Sequence, residues 1–239
     1  MSRIGANSPA LPKRFYKQAL LGEGGAVLLD GKPARTRSRH ALGAPPALAA
    51  AIVDEWNAQK EAIDFLSMPM TRFQMTVIDR AGADADAWRA STLAFLRSDL
   101  LCYRASAPAD LVARQQAAWD PLLRWAEALG VALKTTAGLG PVEQDPSAIG
   151  AAAAMIAAAP PPQLLAMKAA AEIAGSAVIA LALGRRAFDA LTLFEASRID
   201  ETFQAEKWGA DAEAEARARR LRTDFLDAAR YSSLAAGAG

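Results

Sequence analysis

The sequence predicts an α+β protein in which a small N-terminal domain containing antiparallel β-structure precedes a mainly α-helical C-terminal domain. Two patterns carry that expectation. Up to about residue 42, short apolar runs are separated by glycine-rich turns; beyond residue 45, apolar residues recur at helical spacing. The 239 residues, 52% hydrophobic and 22% charged, have a globular composition and suffice for two cores. Residues 82–86, around Gly82, read as the joint, giving domains over residues 1–82 and 83–239.

In order along the chain, residues 15–21 and 26–29 are apolar runs separated by Gly22-Glu23-Gly24-Gly25, and Asp30-Gly31 then turns the chain into residues 32–36. This is the pattern of an antiparallel meander. Pro45-Pro46 opens a helix whose apolar stripe is Leu48, Ile52, Trp56 and Gln59. Met68-Pro69-Met70-Thr71 interrupts it, and further helical segments are expected at residues 72–80 and 88–97. Residues 100–103 and 131–135 read as short strands that the sheet recruits. Between them, Leu111, Gln115, Ala118, Leu122, Trp125 and Leu129 step by three and four, a one-sided helix ending at Gly130. Pro160-Pro161-Pro162 separates an Ala-rich helix from a buried one at residues 163–183, and helices at 188–207 and 212–229 complete the set.

Composition narrows the function. Lys plus Arg number 27 against 26 Asp plus Glu, a net charge of +1, so the basic surplus of a nucleic-acid binder is missing. The arginines from Arg217 to Arg222 are interleaved with Glu213, Glu215 and Asp224 at i,i+4 spacing, the mark of a solvated helix face. The most apolar run, residues 173–184, is about half the roughly 20 residues a membrane-spanning helix needs. Residues 1–12 lack the apolar or arginine-rich character of a targeting segment, so a soluble, intracellular protein is expected. A single cysteine, Cys102, and a single histidine, His40, build neither a disulfide nor a usual zinc site. Cys102 reads as a buried thiol and His40 as an exposed loop residue. No phosphate-binding loop, dinucleotide fingerprint or nucleophile elbow is present. No catalytic residue, metal site or cofactor is therefore expected.

The segment 188–207 stands out. At about 100° per residue, Phe188, Leu191, Ala196, Ile199 and Phe203 share one side, and Ser197, Asp200, Glu201 and Gln204 the other. Glu195 and Glu206 project toward the apolar side, where a carboxylate needs a partner. Trp208-Gly209 ends the helix and puts an aromatic beside the acids, a composition favoured at protein-binding surfaces. An enzyme of unknown type using these acids is the alternative.

The chain also resembles a known family, the assembly chaperones for the alpha subunit of F-type ATP synthase. The matching segments are Arg14-Phe15-Tyr16-Lys17, Leu29-Asp30-Gly31-Lys32-Pro33, residues 52–59 ending in Asp54-Glu55-Trp56-Asn57-Ala58-Gln59, and Met68-Pro69-Met70-Thr71. Asp99-Leu100-Leu101-Cys102-Tyr103-Arg104, Gln115, Trp119-Asp120-Pro121-Leu122, Trp125 and Gly175-Ser176 follow. The series closes with residues 197–204, Glu206 and Trp208-Gly209. The resemblance implies a two-part fold and a non-enzymatic chaperone that binds free alpha subunit before beta subunits join it. It implies a bacterial, cytoplasmic form, because little precedes Arg14 where mitochondrial members carry a presequence, and a monomer is expected. It points to Asp200 and Glu201 as the foremost partner-binding positions, with Gln204, Glu195 and Trp208 beside them.

Overall fold

The computed structural model describes residues 11–138, 140–209 and 211–237. The reading of the first dozen residues falls mostly outside them. The chain divides into two compact units, residues 1–79 and 80–239.

In the first unit, strands β1 (Ala19–Leu21), β2 (Val27–Leu29) and β3 (Lys32–Pro33) form an antiparallel sheet in that order. The turn after β1 depends on Gly25: its φ is +79°, and a Cβ there would lie 1.9 Å from the Ala44 carbonyl oxygen. Ala19, Val27 and Leu29 are buried, as are Leu48, Ala49, Ile52 and Trp56 of helix α1 (Pro46–Ala58), which packs on the first two strands. The Asn57 side chain takes the place of a further strand at the β1 edge. Its Nδ2 donates to the Ala19 carbonyl at 2.9 Å, and its Oδ1 accepts from the Ala19 N–H at 2.8 Å. Arg14 ties the incoming chain to the end of α1 by donating to the carbonyls of Tyr16, Lys17 and Gln59.

Glu55 links α1 to the next helix, α2 (Pro69–Ala94): its two oxygens accept from the N–H groups of Met70 and Thr71 at 2.7 and 2.8 Å. Those amides lie in the first turn of α2, where no intrahelical acceptor exists and the helix dipole favours a carboxylate. Gln59 holds the intervening turn by donating to Ser67 Oγ and accepting from the Asp64 N–H. Two separate segments at residues 72–80 and 88–97 are expected from sequence, but α2 is continuous, and residues 82–86 lie inside it. Arg80 pairs with Asp84 and Arg89 with Asp86 along its surface. His40 is exposed as expected, with Nδ1 3.1 Å from Asp79 Oδ1, which also accepts from the Thr36 hydroxyl.

The second unit is helical: α3 (Ala109–Ala128), α4 (Pro146–Ala157), α5 (Pro161–Ala174), α6 (Ala177–Arg185), α7 (Ala190–Ala196), α8 (Ile199–Trp208) and α9 (Ala212–Ala235). Helix α5 is packed against α6 and α9, while α3 meets α6, α7 and α8. The expected single helix at 163–183 is instead α5 and α6. Gly175 ends α5 at φ +68°, and Ser176 caps α6 by accepting from the Ile179 N–H. Residues 100–103 and 131–135 do not join the sheet. Leu100–Cys102 is a single 3-10 turn, because Asp99 accepts from the Leu101 N–H and holds the chain in a tight bend. Among the described residues, β-pairing near them is limited to a parallel bridge between Tyr103 and Thr136, just beyond the second segment.

Asp99 is fully buried, and its other oxygen accepts from the Val178 N–H at 3.1 Å, with further hydrogen bonds from Ser176 and the Ala177 amide. Burial nevertheless outweighs these bonds and pushes its carboxyl up to about 6. Burial, reinforced by the Asp99 charge, pushes the Cys102 thiol up to about 12, which keeps it protonated and unreactive. Among the described residues no helix is long and apolar enough to cross a membrane, and no group of three or more His, Cys, Asp or Glu could hold a metal ion.

Candidate functional site

The segment 188–207 is not one helix. Asp189 starts α7 by accepting from the Leu191 and Thr192 N–H groups, and α7 ends at Ser197, which is buried and donates its hydroxyl to the Phe194 carbonyl. Arg198, at φ −117° and ψ +16°, turns the chain into α8 and donates to the Ile173 carbonyl. The break rotates α8 relative to α7. A single wheel therefore misplaces side chains across it: Ser197, expected on the polar side, is buried, whereas Glu195 is exposed.

Phe203 is the buried anchor of α8, with the Arg114 guanidinium and the Lys207 ammonium over its ring at 5.4 and 5.3 Å. Glu206, expected toward the apolar side, is exposed and paired with Arg114 at 2.7 Å, and Lys207 lies 3.4 Å from Asp110. Asp200 faces α3. Its Oδ1 accepts from Gln115 Nε2 at 2.6 Å, and Gln115, buried, accepts at its own oxygen from the Ala105 N–H. Trp119 is fully buried and donates its indole N–H to the Ala196 carbonyl at 2.7 Å, fixing α3 to the α7–α8 corner. Arg104 stacks over Trp119 and pairs with Asp120 at 2.7 Å. Trp56, as its stripe predicts, and Trp119 are core residues; Trp125 is half-buried with its ring edge against Phe188.

Glu201, Gln204 and Trp208 are all exposed, and their spacing of three and four puts them on one outward stripe of α8. Glu201 is held by Arg198 at 3.1 Å, while Trp208 is 79% exposed. Asp200 and Gln204 also line a cleft of about 500 Å³, together with Tyr103, Arg104, Ser106 and Gln115. Sequence reasoning missed this cleft and the contribution of Arg104 and Gln115. The signal available was their place in the matched motif segments.

The profile of the family described as ATP12 chaperone protein matches residues 13–127. The crystal structure of Atp12 from Paracoccus denitrificans is similar to this chain with a TM-score of 0.87 and 41% identity, covering 94% of this chain and 98% of that one. An aspartate-to-lysine mutant of the P. denitrificans protein gives the same TM-score at 40% identity, with the same two coverages. The Atu1473 protein from Agrobacterium tumefaciens matches at a TM-score of 0.85 and 39% identity, over 95% of this chain and 87% of that one. Identity at that level over nearly the whole of both chains means that this chain belongs to the ATP12 chaperone family.

Proposed function

We propose that this chain is an assembly chaperone for the catalytic head of the F-type ATP synthase. It binds the free alpha subunit and shields its subunit interface until beta subunits replace it, acting as a cytoplasmic monomer without cofactor or bond-making chemistry. The family supports the general role. The observation that carries the reading to a surface is the outward stripe of α8, where an exposed tryptophan stands beside Glu201 and Gln204. An exposed indole is costly in water and is the residue type that contributes most at protein interfaces. Asp200 supports the stripe from the α3 side, and Glu195, exposed on α7, extends the acidic character. Ring subunits expose apolar interfaces before assembly, and covering one suppresses aggregation by mass action without an energy source.

The enzyme reading needs these acids to converge. Asp200 is bound by Gln115, Glu201 by Arg198 and Glu206 by Arg114, and this engagement of each acid by a separate partner supports the chaperone reading over it. The test is a pull-down on the immobilised full chain with separately expressed alpha and beta subunits. Alpha is captured and beta is not. Trp208→Ala and Glu201→Lys each weaken capture by about tenfold, about 1.4 kcal/mol. Unchanged capture by both variants, with unaltered melting, removes the α8 stripe from the mechanism.

A further inference from the structure

An unbalanced concentration of positive charge lies on a hairpin of the N-terminal unit. After β3, Arg35 and Ala41 form an antiparallel bridge and the chain reverses through residues 36–40. The Thr36 N–H donates to the His40 carbonyl at 2.9 Å, and the Arg39 N–H to the Thr36 carbonyl at 3.0 Å. Lys32, Arg35, Arg37 and Arg39 are all exposed, and residues 31–53 contain neither Asp nor Glu. Among the described residues none of the four belongs to an ion pair. The two carboxylates flanking the hairpin are engaged elsewhere. Asp30 accepts from the Lys17 and Gln18 N–H groups, and Asp79 of α2 from the Thr36 hydroxyl and the Ser38 N–H. Helix α9 is the contrast: its exposed arginines alternate with acids, and Arg219 pairs with Glu215.

The tip is held in one shape, and it carries a local misfit. Asp79 pins it through Thr36, Ser38 and His40, and the Arg35 guanidinium donates to the Arg39 carbonyl at 2.8 Å. Arg39 itself sits at φ +68°, in the left-handed region where Gly or Asn closes a hairpin at least cost. An arginine at the position where glycine is easiest keeps a charge at the expense of backbone comfort, and such local conflicts concentrate at functional sites.

We infer that this hairpin is a docking point for an acidic surface of a protein partner, its arginines pairing with Asp and Glu side chains. The inference rests on the chaperone reading, in that the acidic surface belongs to the captured subunit. Guanidinium groups match carboxylates and phosphates alike, so the neighbours of the hairpin decide between them. A nucleic-acid strand calls for aromatic rings to stack on, and no Phe, Tyr or Trp occurs between Tyr16 and Trp56. A lipid surface calls for an apolar anchor, and none of the exposed large hydrophobic residues falls between Leu21 and Phe65. Exposed charges speed the encounter and weaken with salt, which suits a partner that must later be given up.

The test measures association of the full chain with intact alpha subunit by stopped flow at several salt concentrations. Arg37→Glu reverses a charge at the tip; Arg39→Gly removes one while relieving the strained backbone; Arg124→Glu, exposed on α3, makes the same change in net charge elsewhere. The expected result is association slowed roughly tenfold by Arg37→Glu at low salt, with the difference fading as salt rises. Arg39→Gly is slowed less, although it melts no lower than wild type, and Arg124→Glu matches wild type. Association indifferent to both hairpin variants, or slowed equally by Arg124→Glu, overturns the docking point and leaves the chaperone reading standing. Binding of a single-stranded RNA oligonucleotide or phosphatidylglycerol vesicles that Arg37→Glu abolishes, with association to alpha unchanged, also overturns it. Failure of wild type to bind alpha at all overturns both.

Discussion

Replacing Asp99 by Ala is expected to destabilise the protein by about 3–5 kcal/mol, the largest single-site effect in the helical unit. The carboxylate is fully buried and receives the Leu101 and Val178 amides together with Ser176. Removing it orphans several buried donors at once, at about 1–3 kcal/mol each. It also releases the bend that fixes Leu100–Cys102 against Gly175-Ser176, where the Leu100 N–H donates to the Gly175 carbonyl. Asp99→Asn separates the two contributions. Because the folded carboxyl titrates near 6, above its unfolded value, the folded protein binds a proton more readily than the unfolded chain between about pH 4 and 6. The Asp99 contribution to stability is therefore greatest at the acidic end of that window and falls as pH rises through 6. An Asn cannot follow that gain. Between pH 7.5 and 4.5 the stability gap between wild type and Asp99→Asn should widen by about 2 kcal/mol, read from urea melts at the two pH values. Asp30 and Asp79, whose carboxyls are held low, change stability in the opposite direction, but equally in both proteins. A gap that stays constant or narrows on acidification contradicts a raised Asp99.

In the N-terminal unit, Glu55→Ala should cost about 2–4 kcal/mol, because one carboxylate satisfies two first-turn amides of α2. Met68, Pro69 and Met70 carry no side-chain oxygen that could take its place. Glu55→Gln keeps one acceptor and loses the charge that complements the helix dipole, so it should recover part of the loss. Amide exchange at residues 70–72 and urea melts followed by tryptophan fluorescence check this. If Glu55→Ala leaves both unchanged, α2 does not depend on this cap.

Much of the fold is legible in the sequence because local signals and tertiary packing agree. The glycines from Gly22 to Gly25 and the Asp30-Gly31 turn punctuate a real antiparallel meander, and Pro45-Pro46 opens α1 with Leu48, Ile52 and Trp56 inward. The failures share one cause: periodicity reports faces and is blind to a bend that preserves apolar content. Residues 173–184 are apolar apart from Ser176, so the turn at Gly175-Ser176 leaves little gap in the pattern, although Gly followed by Ser is a stop-and-start signal. The same blindness joined α7 to α8 across Ser197-Arg198. The short apolar run after Asp99 is as compatible with a tight turn as with a strand, and only the long-range bonds from Asp99 to α6 decide it. At the site, the outward placement of Glu201, Gln204 and Trp208 was readable from their spacing. The link from the buried Gln115 to Asp200 spans 85 residues and has no local signature.

The central claim, temporary shielding of a subunit interface, is tested most directly by competition. A complex of this chain with alpha subunit is formed first, and beta subunit is then titrated in while free chain and soluble alpha are measured. The account predicts stoichiometric release of the chain as alpha joins beta, with alpha remaining in solution throughout. A stable assembly that keeps all three, or an alpha subunit that beta cannot take over, would contradict it.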